Sequence, residues 1–295
     1  MWSVREALEK FIQSLELTEG QQQEVSRQQT AVRECLIHRL KPRTTFLSGS
    51  YSRNTAIRPL HDIDLFVVMG ETAPPGGYST SSESITAESV LKQVRKALKD
   101  QWPNKELPIL QRHSVHIGFE GTGIEFDVVP AYAVPTPGQE VFLIPERETG
   151  TWVKTNPNIH KQRSTEANET AGKKLKPLLK AVKHWNRHHG STPLGSFHLE
   201  VMSYSAFRTP PRNYIEGLEI LFTHLSEQVL NPCPDPARLG PNVDHRMEPN
   251  QRRAAHDVLK SAARQMRLVR DESDNDPPSA HARLSSLFGE FYRKG

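Results

Sequence analysis

"GSYSRNTAIRPLHDIDLFVV", Gly49 to Val68, decides the fold. Its second half sets Asp62 and Asp64 one residue apart and runs on through "LFVV", alternating at first and then continuously apolar, as a central strand does. Residues two apart on a strand face the same side, about 7 Å from each other. Two carboxylates so placed repel, and an uncompensated pair half-buried in a sheet is costly. A divalent cation removes that cost. Mg²⁺ takes one or two carboxylates and fills its other positions with water and substrate phosphates. In the first half, Gly49 and Ser50 close the strand "TTFLS" (Thr44 to Ser48) with a turn. Glycine there removes the Cβ clash, so that backbone N–H groups and a hydroxyl approach a phosphate closely. Eleven residues separate Ser50 from Asp62, enough for a turn and a return strand. A phosphate turn beside a carboxylate pair outlines a donor-triphosphate site.

A third carboxylate is Asp127, in the strand "IEFDVVPAY" (Ile124 to Tyr132), between apolar Phe126 and Val128. Three aspartates from two adjacent strands can hold two metal ions about 4 Å apart, the clamp used for in-line phosphoryl transfer. Glu125 lies on the Asp127 face, as a neighbouring acceptor or toward solvent.

Around this centre the chain has 295 residues, enough for two packed lobes. Lys and Arg total 38 against 34 Asp and Glu, a net charge of +4 that provides no nucleic-acid coat by itself. The two cysteines, Cys35 and Cys233, stand far apart with no CxxC or Cys/His ligand spacing, which argues against structural zinc and a disulfide framework, and the thirteen scattered histidines read as ordinary surface or core residues, not a metal cluster. The start "MWSVREALEKF" is amphipathic and unlike a signal peptide, and no apolar run is long enough to span a bilayer. A soluble, cytoplasmic protein without a membrane partner is expected.

Periodicity predicts a first helix through Val4, Ala7, Leu8, Phe11, Ile12 and Leu15, and a second from a Thr18–Gln21 capping box to about Leu40. "ETAPPGGYSTSSES" reads as an exposed loop, followed by helical spacing from Val90 to Leu98. "VHIGF" (Val115 to Phe119) and "VFLI" (Val141 to Ile144) are further strands. Beyond Pro145 the character changes. "ANETAGKKLKPLLKAVKHWNRHHG" reads as one long basic helix, "SFHLEVMSYSAF" and "YIEGLEILFTHLSEQVL" continue helical, "NPCPDPARLGPN" breaks the chain, and a last helix carries Ala255 to Val269. The expected class is α+β: residues 1–150 as N-terminal helices and a catalytic lobe with a small mixed sheet, residues 151–295 as a helical lobe.

The Gly-Ser, Asp-x-Asp and later Asp pattern resembles the nucleotidyltransferase superfamily of DNA polymerase β. "IPERETGTWVKTNPNIHKQRSTEAN", "LLKAVKHWNRHH" followed by "SFHLEVM", and the closing "LSSLFGEFY" narrow the resemblance to the bacterial cGAS/DncV-like nucleotidyltransferases. These are the oligonucleotide cyclases of anti-phage (CBASS) signalling, and the resemblance spans nearly the whole chain. It implies a polymerase β-like lobe and a helical lobe with the active site in the cleft between them. It also implies synthesis of a cyclic di- or trinucleotide from ATP and other NTPs, with Mg²⁺, or Mn²⁺ in its place. Residue by residue, it assigns Gly49 and Ser50 to the donor triphosphate and Asp62, Asp64 and Asp127 to metal and catalysis. A phosphate-binding lysine and a serine map to Lys183 and Ser196, with Lys180 the alternative to Lys183. Arg53 and Arg58 flank the turn and are candidates to touch phosphate, with solvation the default for loop arginines. Tyr132 and Tyr204 are candidates to stack on a base, with core packing the default, and His184, His188 and His189 suit a helix end.

Two rivals stand beside this reading. Archaeal CCA-adding enzymes, template-independent RNA 3′-end transferases, share a similar Gly-Ser and Asp-Ile-Asp segment but usually carry tRNA-binding domains not expected here. The balanced charge also argues against strong tRNA binding. The other rival, a catalytically silent nucleotide- or RNA-binding module, would be signalled by loss of a carboxylate, and all three are present. A regulatory protein partner is left open by the sequence.

Overall fold

The structure, a computed structural model, describes residues 2–60, 62–70, 85–189 and 194–295. The loop read in "ETAPPGGYSTSSES" lies outside the described residues. The chain forms two compact units, one of residues 1–16, 54–58 and 160–295, the other of residues 17–53 and 59–159. The sequence reading cut the chain once, after residue 150. The compact units exchange chain at four places, and the first helix belongs with the C-terminal half.

That first helix, α1 (Val4–Ser14), starts on a Ser3–Glu6 capping box and buries Val4, Ala7, Leu8, Phe11 and Ile12. Its buried face joins the core of the helical unit.

The sheet unit opens with α2 (Glu19–Leu40), capped by Thr18 and Gln21 and ended by Lys41 in the left-handed region. Next come β1 (Thr44–Leu47), a single helical turn α3 (Gly49–Ser52) and β2 (Asp62–Val68). The amphipathic α4 (Ala87–Gln101) is followed by β3 (Ile109–Leu110), β4 (Val115–Phe119), β5 (Ile124–Val134), β6 (Val141–Glu146) and β7 (Thr151–Thr155). These strands make a seven-stranded mixed sheet ordered β1-β2-β5-β4-β3, with β6 on β5 and β7 on β6. β3 and β7 were not read in the sequence. β3 is two residues long, and β7 has no clean alternation.

Strand periodicity sorts β2 and β5 into two faces. Ile63, Leu65, Val67, Phe126 and Val128 point into a core closed by Val25, Val32 and Leu36 of α2 and Val90, Leu91, Val94 and Leu98 of α4. On the other face Phe66, Val68, Val129 and Ala131 pack with Phe142 in a smaller cluster. "LFVV" is continuously apolar because both faces are covered at that end of the strand. The same face carries the aspartates at its other end.

The helical unit holds α5 (Pro157–Thr170) from its second turn, α6 (Leu175–His189), α7 (Ser196–Ser203), α8 (Tyr214–Gln228), α9 (Pro249–Glu272) and α10 (Pro277–Phe288). The expected single basic helix is two, α5 and α6. Gly172 (φ 61°) and Lys173 (φ 63°) are left-handed and end the first, and Asn168 Oδ1 caps the second by accepting from the Lys176 N–H at 3.0 Å. The helix through Ala255 to Val269 is not the last, since α10 follows it across the Asp276 cap and Pro277. Trp185 and Phe222 meet edge to face, 5.0 Å between ring centres, inside this core.

Candidate active site

β2 and β5 run parallel with Asp62 opposite Glu125 and Asp64 opposite Asp127. β4 runs antiparallel to β5 and sets His116 opposite Asp127 and Gly118 opposite Glu125. Three adjacent strands therefore present Asp62, Asp64, Glu125, Asp127 and His116 on one face, with Gly118 leaving space beside Glu125. The two-strand aspartate arrangement expected from the sequence is this register.

Asp127 is held from the β4 side. His116 Nδ1 donates to Asp127 Oδ1 at 3.0 Å. The Gln111 amide, in the orientation that satisfies its neighbours, donates to both Asp127 oxygens at 3.3 Å. Burial pushes the Asp127 carboxyl above its ordinary range, and Asp62 and Glu125 add to the shift while His116 opposes it. Burial acts more strongly on Asp64, pushed up to about 6, with the Asp127 charge next and Arg53 opposing.

The turn before β2 is built onto Asp64. Ser48 N–H donates to the Asp64 carbonyl at 2.8 Å. Gly49 follows at φ 63°, and a Cβ on it would lie 1.6 Å from Asp64 Oδ2. Only glycine suits that position, for its backbone conformation and for the carboxylate against it. Ser50 is half-buried in α3, and Arg53 closes the turn, its N–H donating to the Gly49 carbonyl at 3.2 Å. Expected to be solvated, Arg53 is buried, with its charge acting on Asp64. Arg58 instead donates to the Ser14 carbonyl at 3.3 Å, within the helical unit.

The other predicted residues belong to the helical unit. Ser196 is exposed at the first position of α7. Lys183 is fully buried, ion-paired with Glu200 of α7, and donates to the Thr55 carbonyl at 3.0 Å. Thr55 Oγ1 also donates to Glu200, at 2.8 Å. Lys180 is buried against Glu16, with Asn54 Oδ1 at 3.4 Å. Tyr132 packs edge to face on Trp152, 5.4 Å between centres, and Tyr204 packs against the helical core. His184 bonds the Phe288 carbonyl at 3.0 Å.

Gln111, His116, Thr55 and Glu200 were not singled out from the sequence. Glu200 carried a signal, as a lone acid in the apolar run "FHLEVM" of a helix. His116 carried a fainter one, alternating with apolar residues in "VHIGF".

The donor set fits a hard divalent cation. Asp62, Asp64 and Asp127 offer oxygen only, and the Asp64 and Asp127 carboxyls, raised first by burial and then by their acidic neighbours, are groups whose charge a cation would stabilise.

Among curated proteins, the chain is 29% identical over 255 residues to a "Cyclic AMP-AMP-AMP synthase" of Acinetobacter sp. (strain ATCC 27244 / 9458), covering 79% of this chain and 68% of that one. It is 27% identical over 212 residues to a "Probable cyclic nucleotide synthase" of Bacillus cereus (strain VD146), covering 64% of this chain and 63% of the relative. The matches thus span about two thirds of those relatives' length. Among solved structures, that of E. coli MS115-1 CdnC with ATP superposes with a TM-score of 0.74 at 20% identity, covering 98% of both chains, a likeness of fold. A family model, the Second Messenger Oligonucleotide or Dinucleotide Synthetase domain (SMODS), matches residues 2–168, more than half of the chain, and the protein belongs to that family.

Proposed function

We propose that this protein is a Mg²⁺-dependent nucleotidyltransferase that joins NTPs and closes them into a cyclic di- or trinucleotide, the second messenger of an anti-phage (CBASS) system. The observation that carries this reading is the Gly49–Asp64–Asp127 arrangement, a phosphate turn seated on Asp64, whose register partner on the next strand is Asp127. Family membership supports it, and the names of the relatives put ATP first among the substrates.

Each bond formed is a displacement at the donor's α-phosphorus. The acceptor ribose hydroxyl makes the new P–O bond, the bond to the β-phosphate oxygen breaks, and pyrophosphate leaves. Asp62, Asp64 and Asp127 would hold Mg²⁺, which when bound neutralises triphosphate oxygens and makes the attacking hydroxyl more acidic. Gly49 and Ser50 bind the donor phosphates through backbone N–H groups and a hydroxyl. Asp127, kept in place by His116 and Gln111, takes the hydroxyl proton on Oδ2, the oxygen that His116 does not contact. For Ser196, exposed at the start of α7, the phosphate role rests on the family resemblance alone. Lys183 reaches a phosphate only by giving up Glu200 and Thr55, and Lys180 only by giving up Glu16.

Incubation with the four NTPs and Mg²⁺, followed by phosphatase treatment and mass spectrometry, tests the reading. The expected product is phosphatase-resistant, has no free 3′ end, and forms without added RNA. Ladders that need an RNA primer would assign the chain to 3′-end transfer, and no product at all to a silent module.

A further inference from the structure

We propose that His116, Glu125 and Asp62 form a second cation site, for a late first-row divalent ion of the Zn²⁺, Co²⁺ and Ni²⁺ class. One ligand atom from each of the three lies within 4.8 Å of the others. Sheet register puts them there: Glu125 stands opposite Asp62 on β2 and opposite Gly118, two residues from His116 on β4.

Imidazole chemistry sets the class of ion. His116 Nδ1 is spent on Asp127 Oδ1, and because a carboxylate only accepts, the ring proton sits on Nδ1. Nε2 then carries the lone pair, and it is the atom 4.0 Å from Glu125 Oε2. A histidine that donates one nitrogen to a carboxylate and offers the other is the arrangement by which proteins orient a metal-binding imidazole. Nitrogen suits Zn²⁺, Co²⁺ and Ni²⁺, whereas Mg²⁺ takes oxygen. Ligand atoms around one such ion stand roughly 3.4 Å apart. Closing the set calls for movements of about 1 Å, open to Asp62, which is exposed, and to Glu125, whose side chain is 37% exposed. Asp62 belongs to both donor sets, so an ion on His116 withdraws it from the aspartate triad. That consequence, though not the binding itself, rests on the function proposed above.

The test titrates the whole protein, stripped of metal and without nucleotide, with ZnCl₂ alone by calorimetry. Wild type is expected to bind one equivalent that both His116→Gln and Glu125→Gln weaken about tenfold or more. Zinc-edge X-ray absorption of the one-to-one complex should show imidazole scattering that His116→Gln removes. Circular dichroism checks each variant. If His116→Gln does not fold, Glu125→Gln decides, since its carboxylate makes no hydrogen bond among the described residues. Unchanged Zn²⁺ affinity in the folded variants overturns the site. So does affinity lost in Asp127→Asn but kept in Glu125→Gln, which would put the ion on the triad. Because no nucleotide is present, failure here leaves the proposed reaction standing, and absence of cyclic product leaves this site standing.

Discussion

Gly49 rests directly on Asp64, where a Cβ would fall 1.6 Å from the carboxylate oxygen Oδ2. The Gly49 turn and the strand carrying Asp64 are one packed unit, so that a change in the turn displaces the carboxylate. Gly49→Ala forces Asp64 out of position and adds a left-handed alanine, about 1–2 kcal/mol by backbone alone. Product should be lost and the melting temperature lowered. In Gly49→Ala/Asp64→Ala only a tight contact to the remaining Cβ, at 3.1 Å, is left, and part of the stability should return without activity. Full activity in Gly49→Ala would separate the turn from the site.

The role proposed for Ser50 differs, running through its hydroxyl. Ser50→Ala should weaken ATP binding by about 1–3 kcal/mol, the loss of one charge-assisted hydrogen bond, with the fold intact. Calorimetric ATP titration checks this, and an unchanged affinity removes Ser50 from the phosphate site.

The raised Asp64 carboxyl makes stability pH-dependent, and the sign follows from linkage. The metal-free fold holds this proton up to about pH 6, against 3.8 for an unperturbed side chain. Between those values the folded state binds more protons than the unfolded chain, so this group's contribution falls as pH rises and levels off above about pH 7. The loss amounts to at most about 3 kcal/mol. Urea denaturation in EDTA at pH 4.5 and 7.5 should show wild type losing more stability than Asp64→Asn across that window. Mg²⁺ should restore wild type alone at the higher pH. Equal losses in the two proteins would contradict the raised carboxyl of the buried Asp64.

In the helical unit, the Lys183 and Glu200 side chains are 2% and 0% exposed, so the pair is fully desolvated. Removing one partner strands a buried charge, and Lys183→Met should cost about 3–5 kcal/mol. Lys183→Met/Glu200→Leu should recover most of that in urea melts. If Lys183→Met costs less than about 1 kcal/mol, the lysine does not depend on Glu200, and a role toward phosphate is favoured.

What the sequence determined was everything with a short period. The capping boxes at Ser3 and Thr18, the buried stripes of α1, α2 and α4, and the shared face of Asp62 and Asp64 follow from backbone geometry acting over a few residues. Asp127 was legible as well, because its strand is strongly patterned. Only the tertiary structure decided that α1 packs with the C-terminal helices, and that Gly172 and Lys173 divide one basic run into two helices. It also decided that β4 brings His116 and Gln111 to Asp127, and that Thr55 and Glu200 enclose Lys183. Thr55 lies 128 positions before Lys183. The strength of such a contact comes from shared burial, which no local pattern of residues records.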